Sequence, residues 1–100
     1  MKKTIIEEVL KRSGGVCELC GSNDRVELHH IISGIGKRTQ HESTLSVMAL
    51  CYQHHRGTRG VHGRDGDPLN KNLKKMLQGL YFSQGLPEEK VREMMGGNLY

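Results

Sequence analysis

"CELCGSNDRVELHHII", Cys17 to Ile32, opens with two cysteines two residues apart and closes with adjacent histidines in an apolar, β-branched run. A C-x-x-C turn holds two thiolates close enough to share one tetrahedral ion. The run Val26–Ile32 predicts a strand. On a strand successive side chains point to opposite faces, so His29 and His30 are expected to do different work. About thirty residues later comes a second chelating pair, Cys51-x-x-His54 in "LCYQHH". Cys17, Cys20, Cys51 and His54 together make four ligands, a closed set of the kind that holds structural zinc. Such a site contributes folding free energy directly.

The chain needs that contribution. One hundred residues predict one small domain, and only 35% of them are hydrophobic, with no Trp, one Phe and three Tyr. So modest a core is often supplemented by a metal or by disulfides. Three cysteines cannot close a disulfide framework. The start Met1-Lys2-Lys3 resembles a basic leader, but Glu7 and Glu8 interrupt the apolar stretch a leader needs. No apolar run reaches the ~18–20 residues that span a bilayer. The expectation is a cytoplasmic protein with reduced thiols and no membrane partner. A net charge of +4 favours an anionic partner, with nucleic acid the common one.

Around this centre the sequence predicts a small α+β fold. Residues 4–12 predict a packing helix (3–13 with its flanks), with Thr4 and Glu7 as a capping box and Gly14-Gly15 as the stop. Its apolar face would be Ile5, Ile6, Val9 and Leu10. The core would span 17–63: a loop to Arg25, the strand Val26–Ile32, a loop over 33–44, a strand Leu45–Leu50, then a helix beginning at 51–57. Gly57, Gly60, Gly63 and Gly66 punctuate the chain beyond the start of that helix. Residues 69–95 predict two further helices. The first, Leu69 to Ser83, carries Leu73, Met76, Leu77 and Leu80 on one face. The second is opened by Pro87, with Glu88 and Glu89 in its first turn. Val91, Met94 and Met95 would serve there as core filler.

His55 is left over beside His54. Neighbours on a helix diverge by about 100°, so a ring beside the zinc ligand faces elsewhere. One strand imidazole and one helix imidazole could then share a second metal. The combination of C-x-x-C, "ELHHI" and "LCYQHH" resembles the HNH endonucleases of the ββα-metal fold, over Cys17 to about Gly63. The resemblance implies a zinc-stapled hairpin and helix, which the three other predicted helices would flank. It implies His29 as ligand of a catalytic divalent ion, His30 as general base with its ring oriented by a backbone carbonyl, and His55 as a further ligand. His54 would replace a fourth cysteine. "GIGK", with "LC" and "HH" after it, is also similar to phage nucleases linked to recombination enhancement, which implies a phage or prophage setting.

The chain departs from the family pattern at two places. Ser46 stands where the family carries an Asn that helps orient the loop bearing the base. Arg59 stands where the last histidine of the signature belongs, and His62 lies seven residues beyond His55. Along a straight helix that separation is roughly 10 Å, too far for one ion. A helix broken at Gly57 or Gly60 would bring His62 back as the third ligand; otherwise water or His41 fills the place.

The activity implied is metal-dependent hydrolysis of DNA phosphodiester bonds. The imidazole of His30 takes a proton from water, and a divalent ion acts as Lewis acid. Mg²⁺ or Mn²⁺ is expected, with Ni²⁺ or Zn²⁺ also suited to a histidine-rich site. Lys37, Arg38, Arg56 and Arg59 are the candidate phosphate-binding cations. With one active site per chain, a double-strand cut would need a dimer or two successive nicks. Two other readings stay open: a zinc-stabilised DNA-binding module without catalysis, such as a degenerate nuclease, and a small zinc-bound adaptor.

Overall fold

The computed structural model describes residues 1–32 and 42–100. The expected loop residues Lys37, Arg38 and His41 lie outside the described residues. The fold is small and α+β, with one two-stranded antiparallel hairpin and, among the described residues, four helices. In chain order these are α1 (Lys3–Ser13), β1 (Glu27–His30), β2 (Val47–Leu50), α2 (Tyr52–His55), α3 (Asp67–Ser83) and α4 (Glu88–Met94). None of the described helices is long and apolar enough to cross a membrane.

The hairpin pairs Glu27 with Leu50, Leu28 with Ala49, His29 with Met48 and His30 with Val47. Cross-strand partners share a face. One face therefore carries Glu27, His29, Met48 and Leu50, and the other carries Leu28, His30, Val47 and Ala49. All four residues of β2 are buried because both faces are covered. Val47 and Ala49 pack with Ile5 and Val9 of α1, flanked by Val26 and Leu28. Met48 and Leu50 belong to the main core with Ile31, Ile32, Val61, Leu73, Leu77, Tyr81, Val91 and Met95. Full burial of a Val, Leu or Ile side chain is worth about 1.5–3 kcal/mol. Both strands are shorter than their apolar runs. Ile31 and Ile32 leave the ladder to enter the core, and Leu45 belongs to the turn before β2.

Helix α1 differs from expectation at its start. The helix begins at Lys3, and the carbonyl of Lys2 accepts the N–H groups of Ile5 and Ile6. Thr4 is thus already inside the first turn, where its hydroxyl cannot cap, and no side-chain cap forms. The end is as expected: Gly14 takes the left-handed conformation (φ 68°) and donates to the Leu10 carbonyl at 2.9 Å. Ile5 and Val9 are buried, while Leu10 is 42% exposed.

Arg12 does more than complement the helix dipole. It forks onto Glu18 through Nε and Nη2 and donates to the carbonyls of Thr44 (2.6 Å) and Val47 (2.7 Å). Glu18 in turn covers the outer edge of β2. Its Oε2 accepts the Ala49 N–H (2.8 Å), and its own N–H reaches the Ala49 carbonyl (2.9 Å). An edge strand with unpaired backbone groups is thereby sealed.

On α3 the buried row is Leu73, Leu77 and Tyr81, at i, i+4 and i+8. Met76 and Leu80, expected on the same face, are each 39% exposed. They lie about 60° around the helix from that row, beyond the width of the core. Val91 and Met95 are buried beneath α4 and Met94 packs beside them, so the methionine pair does fill core.

Between α2 and α3 the chain folds into a glycine ribbon. The N–H groups of Gly60, Gly63 and Gly66 each reach the carbonyl three residues back, at 2.9, 2.8 and 3.2 Å. At period three the glycines share one side, turned against backbone. A Cβ on Gly60 would stand 2.7 Å from the Gln53 carbonyl oxygen, and one on Gly63 would overlap the carbonyl oxygens of Gly57 and Thr58. The atoms nearest both positions are backbone, which cannot yield as the end of a side chain could.

Gly63→Ala is therefore expected to cost about 1–3 kcal/mol, measured by urea unfolding. Gly79→Ala is expected to act oppositely. It lies within α3 with open space around its Cβ position, and alanine there should stabilise by up to about 1 kcal/mol.

Candidate metal centres

Two clusters of ligating side chains flank α2. The first is Cys17, Cys20, Cys51 and His54, whose ligand atoms all lie within 4.8 Å of one another. The knuckle that presents Cys17 and Cys20 is closed by backbone bonds. The Cys17 N–H donates to the Ser22 carbonyl, and the Gly21 N–H to the Cys17 carbonyl, both at 2.8 Å. Cys51 is the residue that starts α2, and His54 is one turn on. Cys17 Sγ is 3.7 Å from His54 Nδ1, Cys20 Sγ is 3.7 Å from Cys51 Sγ, and Cys51 Sγ is 3.4 Å from His54 Nδ1. A tetrahedral zinc with sulfur at about 2.3 Å needs ligand atoms roughly 3.5–3.8 Å apart. The four residues fit a structural zinc.

The electrostatics of the cluster agree with a cation at its centre. Burial acts to raise the Cys17 thiol, but hydrogen bonds from the backbone of Cys51, Leu19 and Cys20 bring its pKa down to about 6. Cys20 is pushed up. The Ser22 backbone acts to lower it, but desolvation and the neighbouring Cys17 and Cys51 outweigh that effect. Thiolates this close cannot all ionise without a positive charge among them.

The second cluster is His29 from β1, His55 from α2 and His62 from the glycine ribbon, again with one ligand atom each within 4.8 Å of the others. Ring centroids are 5.4 Å apart for His29–His55, 5.1 Å for His29–His62 and 4.7 Å for His55–His62. His62 arrives because α2 is a single turn. The helix ends at His55, the ribbon turns back, and the N–H groups of Val61 and His62 donate to the carbonyls of His54 (2.9 Å) and His55 (2.8 Å). The distance expected along a straight helix thus never applies.

His29 and His55 are buried and His62 is exposed, so the cluster opens to solvent on one side. His29 Nε2 has no hydrogen-bond partner among the described residues. Burial, and then repulsion from His55, His62, His30 and Lys74, lowers the His29 pKa to about 3. Burial and the charges of His55 and Arg56 lower His62 as well, against a small opposing effect of Glu27. Neutral imidazoles are the form that ligates a metal.

The other expected site residues are not members of the two ligand sets. His30 is on the opposite face of the hairpin from His29, with its Nε2 3.7 Å from Glu42 Oε1, which accepts the Lys2 N–H at 3.0 Å. Ser46 is buried and organises the turn into β2. Its Oγ accepts the Ser43 N–H (2.8 Å), and its carbonyl accepts the N–H of Ile31, next to His30 (2.8 Å). Arg56 is engaged by Glu27, at 2.7 Å from Nε to Oε1 and 3.3 Å from Nη2 to Oε2. Arg59 is exposed on the ribbon, with no ion pair among the described residues.

Sequence reading passed over Glu27. Hydrogen bonds from Arg56 and His55 hold its carboxyl down at about 2. The signal was available, because Glu27 is two residues before His29 and so shares its face. Lys74 was also passed over, since nothing in the pattern of α3 relates it to His29. No known protein family, curated protein or solved structure gives a significant match to the chain.

Cys51→Ala is expected to lose the structural metal and most of the fold, as read by zinc content and circular dichroism. A pH effect arises from His29. Its folded pKa is depressed below the unfolded value, so the unfolded chain takes up a proton first as pH falls. The resulting stabilisation is complete above about pH 6.5 and is lost progressively toward pH 3. In zinc-saturated protein, His29→Asn should flatten this acid limb of the unfolding free energy.

Proposed function

We propose that the chain is a metal-dependent DNA endonuclease of the HNH type, with the structural zinc at Cys17, Cys20, Cys51 and His54. The observation that carries the reading is the convergence of His29, His55 and His62 beside that closed ligand set. Their chemistry suits a catalytic divalent cation: three imidazoles, two of them held toward the neutral form, an orphaned buried nitrogen and one open side.

When bound there, the ion supplies Lewis-acid polarisation of the scissile phosphate and stabilises the leaving oxygen. His29, His55 and His62 would hold it. His30, one residue along β1, takes the proton from water. The Glu42 carboxylate lies 3.7 Å from its Nε2. Ser46 supports this end of the strand by pinning the N–H of Ile31. Arg59, exposed three residues before His62, is the cation best placed to meet a phosphate.

The position of His30 on the opposite face from His29 favours the runner-up, a zinc-stabilised DNA-binding module without catalysis. A supercoiled-plasmid nicking assay with Mg²⁺, Mn²⁺ or Ni²⁺ separates the two. Wild type should nick, and His30→Ala should nick at least about 100-fold more slowly. His29→Ala should lose cleavage while retaining zinc. DNA binding without cleavage under every ion would leave the binding module standing.

A further inference from the structure

We propose that Glu27 is a positioning residue that fixes the ring of His55, and that Arg56 serves to hold Glu27 rather than a substrate phosphate. The proposal rests on the reading of His29, His55 and His62 as a metal site.

His55 Nδ1 lies 3.2 Å from Glu27 Oε1. A carboxylate only accepts, so the ring must donate from Nδ1. A neutral imidazole that donates from Nδ1 keeps its lone pair on Nε2, the one remaining nitrogen able to ligate. The same Oε1 also accepts Arg56 Nε at 2.7 Å, and Oε2 accepts Nη2 at 3.3 Å. Both carboxylate oxygens are thus occupied, and the guanidinium fork sets their plane.

The arrangement is built by the hairpin. Glu27 and His29 alternate onto one face, and Glu27 pairs with Leu50, one residue before the cysteine that starts α2. One turn of α2 then brings His55 and Arg56 over that face. The side chain of His55 is 6% exposed and that of Glu27 44%, so the carboxylate stands on the solvent side of the ring. A carboxylate behind a ligating histidine sets its tautomer and raises its basicity. Placing the carboxylate behind the ligand, rather than in the ligand set, also leaves three neutral ligands. An ion held there keeps its full positive charge toward an anionic phosphate.

The test uses zinc-loaded protein and two readouts. Long-range ¹⁵N–¹H NMR of the His55 ring should show the Nδ1–H tautomer in wild type and lose that preference in Glu27→Ala. Mn²⁺ or Ni²⁺ titration by calorimetry should show about 10–100-fold weaker binding in Glu27→Ala. Zinc content should be unchanged, and the cooperative thermal transition should be kept with at most a small downward shift, since the lost Arg56 pair is half exposed. Glu27→Gln, which keeps an acceptor oxygen at the same reach, should recover part of the affinity.

An unchanged tautomer and affinity in Glu27→Ala would overturn the proposal, as would an affinity loss matched by loss of zinc and fold. If wild type takes up no second ion, the nuclease reading falls with the role of Glu27 toward it. If wild type binds the ion and nicks DNA while Glu27→Ala is indistinguishable from it, only the role of Glu27 falls.

Discussion

The pairing of Glu27–His30 with Val47–Leu50 is the constraint on which the other parts of the molecule depend. Four residue pairs are too few for an isolated hairpin to be stable in water. This one persists because β2 is buried on both faces, by α1 on one side and by α3 and α4 on the other. Its register then assigns every neighbouring side chain. Shifting it by one residue would turn His29 and Glu27 toward α1 and break the histidine cluster.

Helix α2 is the second shared part. A single turn places Cys51 and His54 in one cluster and His55 in the other, because adjacent helical residues diverge by about 100°. The two clusters differ in kind. One is three thiols and a ring, a full set of four ligands with backbone donors directed at sulfur. The other is three rings, one ligand short of a tetrahedral set. A short helix suits this double role, since a longer one would carry His62 away from His55.

Some of this could be read from residue order. The Cys and His pairs have local spacings that only a turn or a helix start can use, and α1, α3 and α4 show their apolar periodicity. The Thr4 cap was misleading because a capping box depends on which residue begins the helix, and Lys2 through its carbonyl decides that here. The buried face of α3 is narrower than its apolar pattern. Periodicity gives the direction of a buried stripe, while its width depends on what packs against it.

Sequence by itself determined the ligand types, the two chelating pairs and the opposite facing of His29 and His30, all consequences of short-range geometry. Tertiary structure alone decided that His62 joins His29 and His55. The glycines permit the fold-back, but backbone bonds to His54 and His55 select it. It also decided that Arg56 is bound to Glu27 and that Arg12 and Glu18 seal β2. Those contacts join residues far apart in the chain, and no local pattern encodes which carboxylate a given guanidinium will meet.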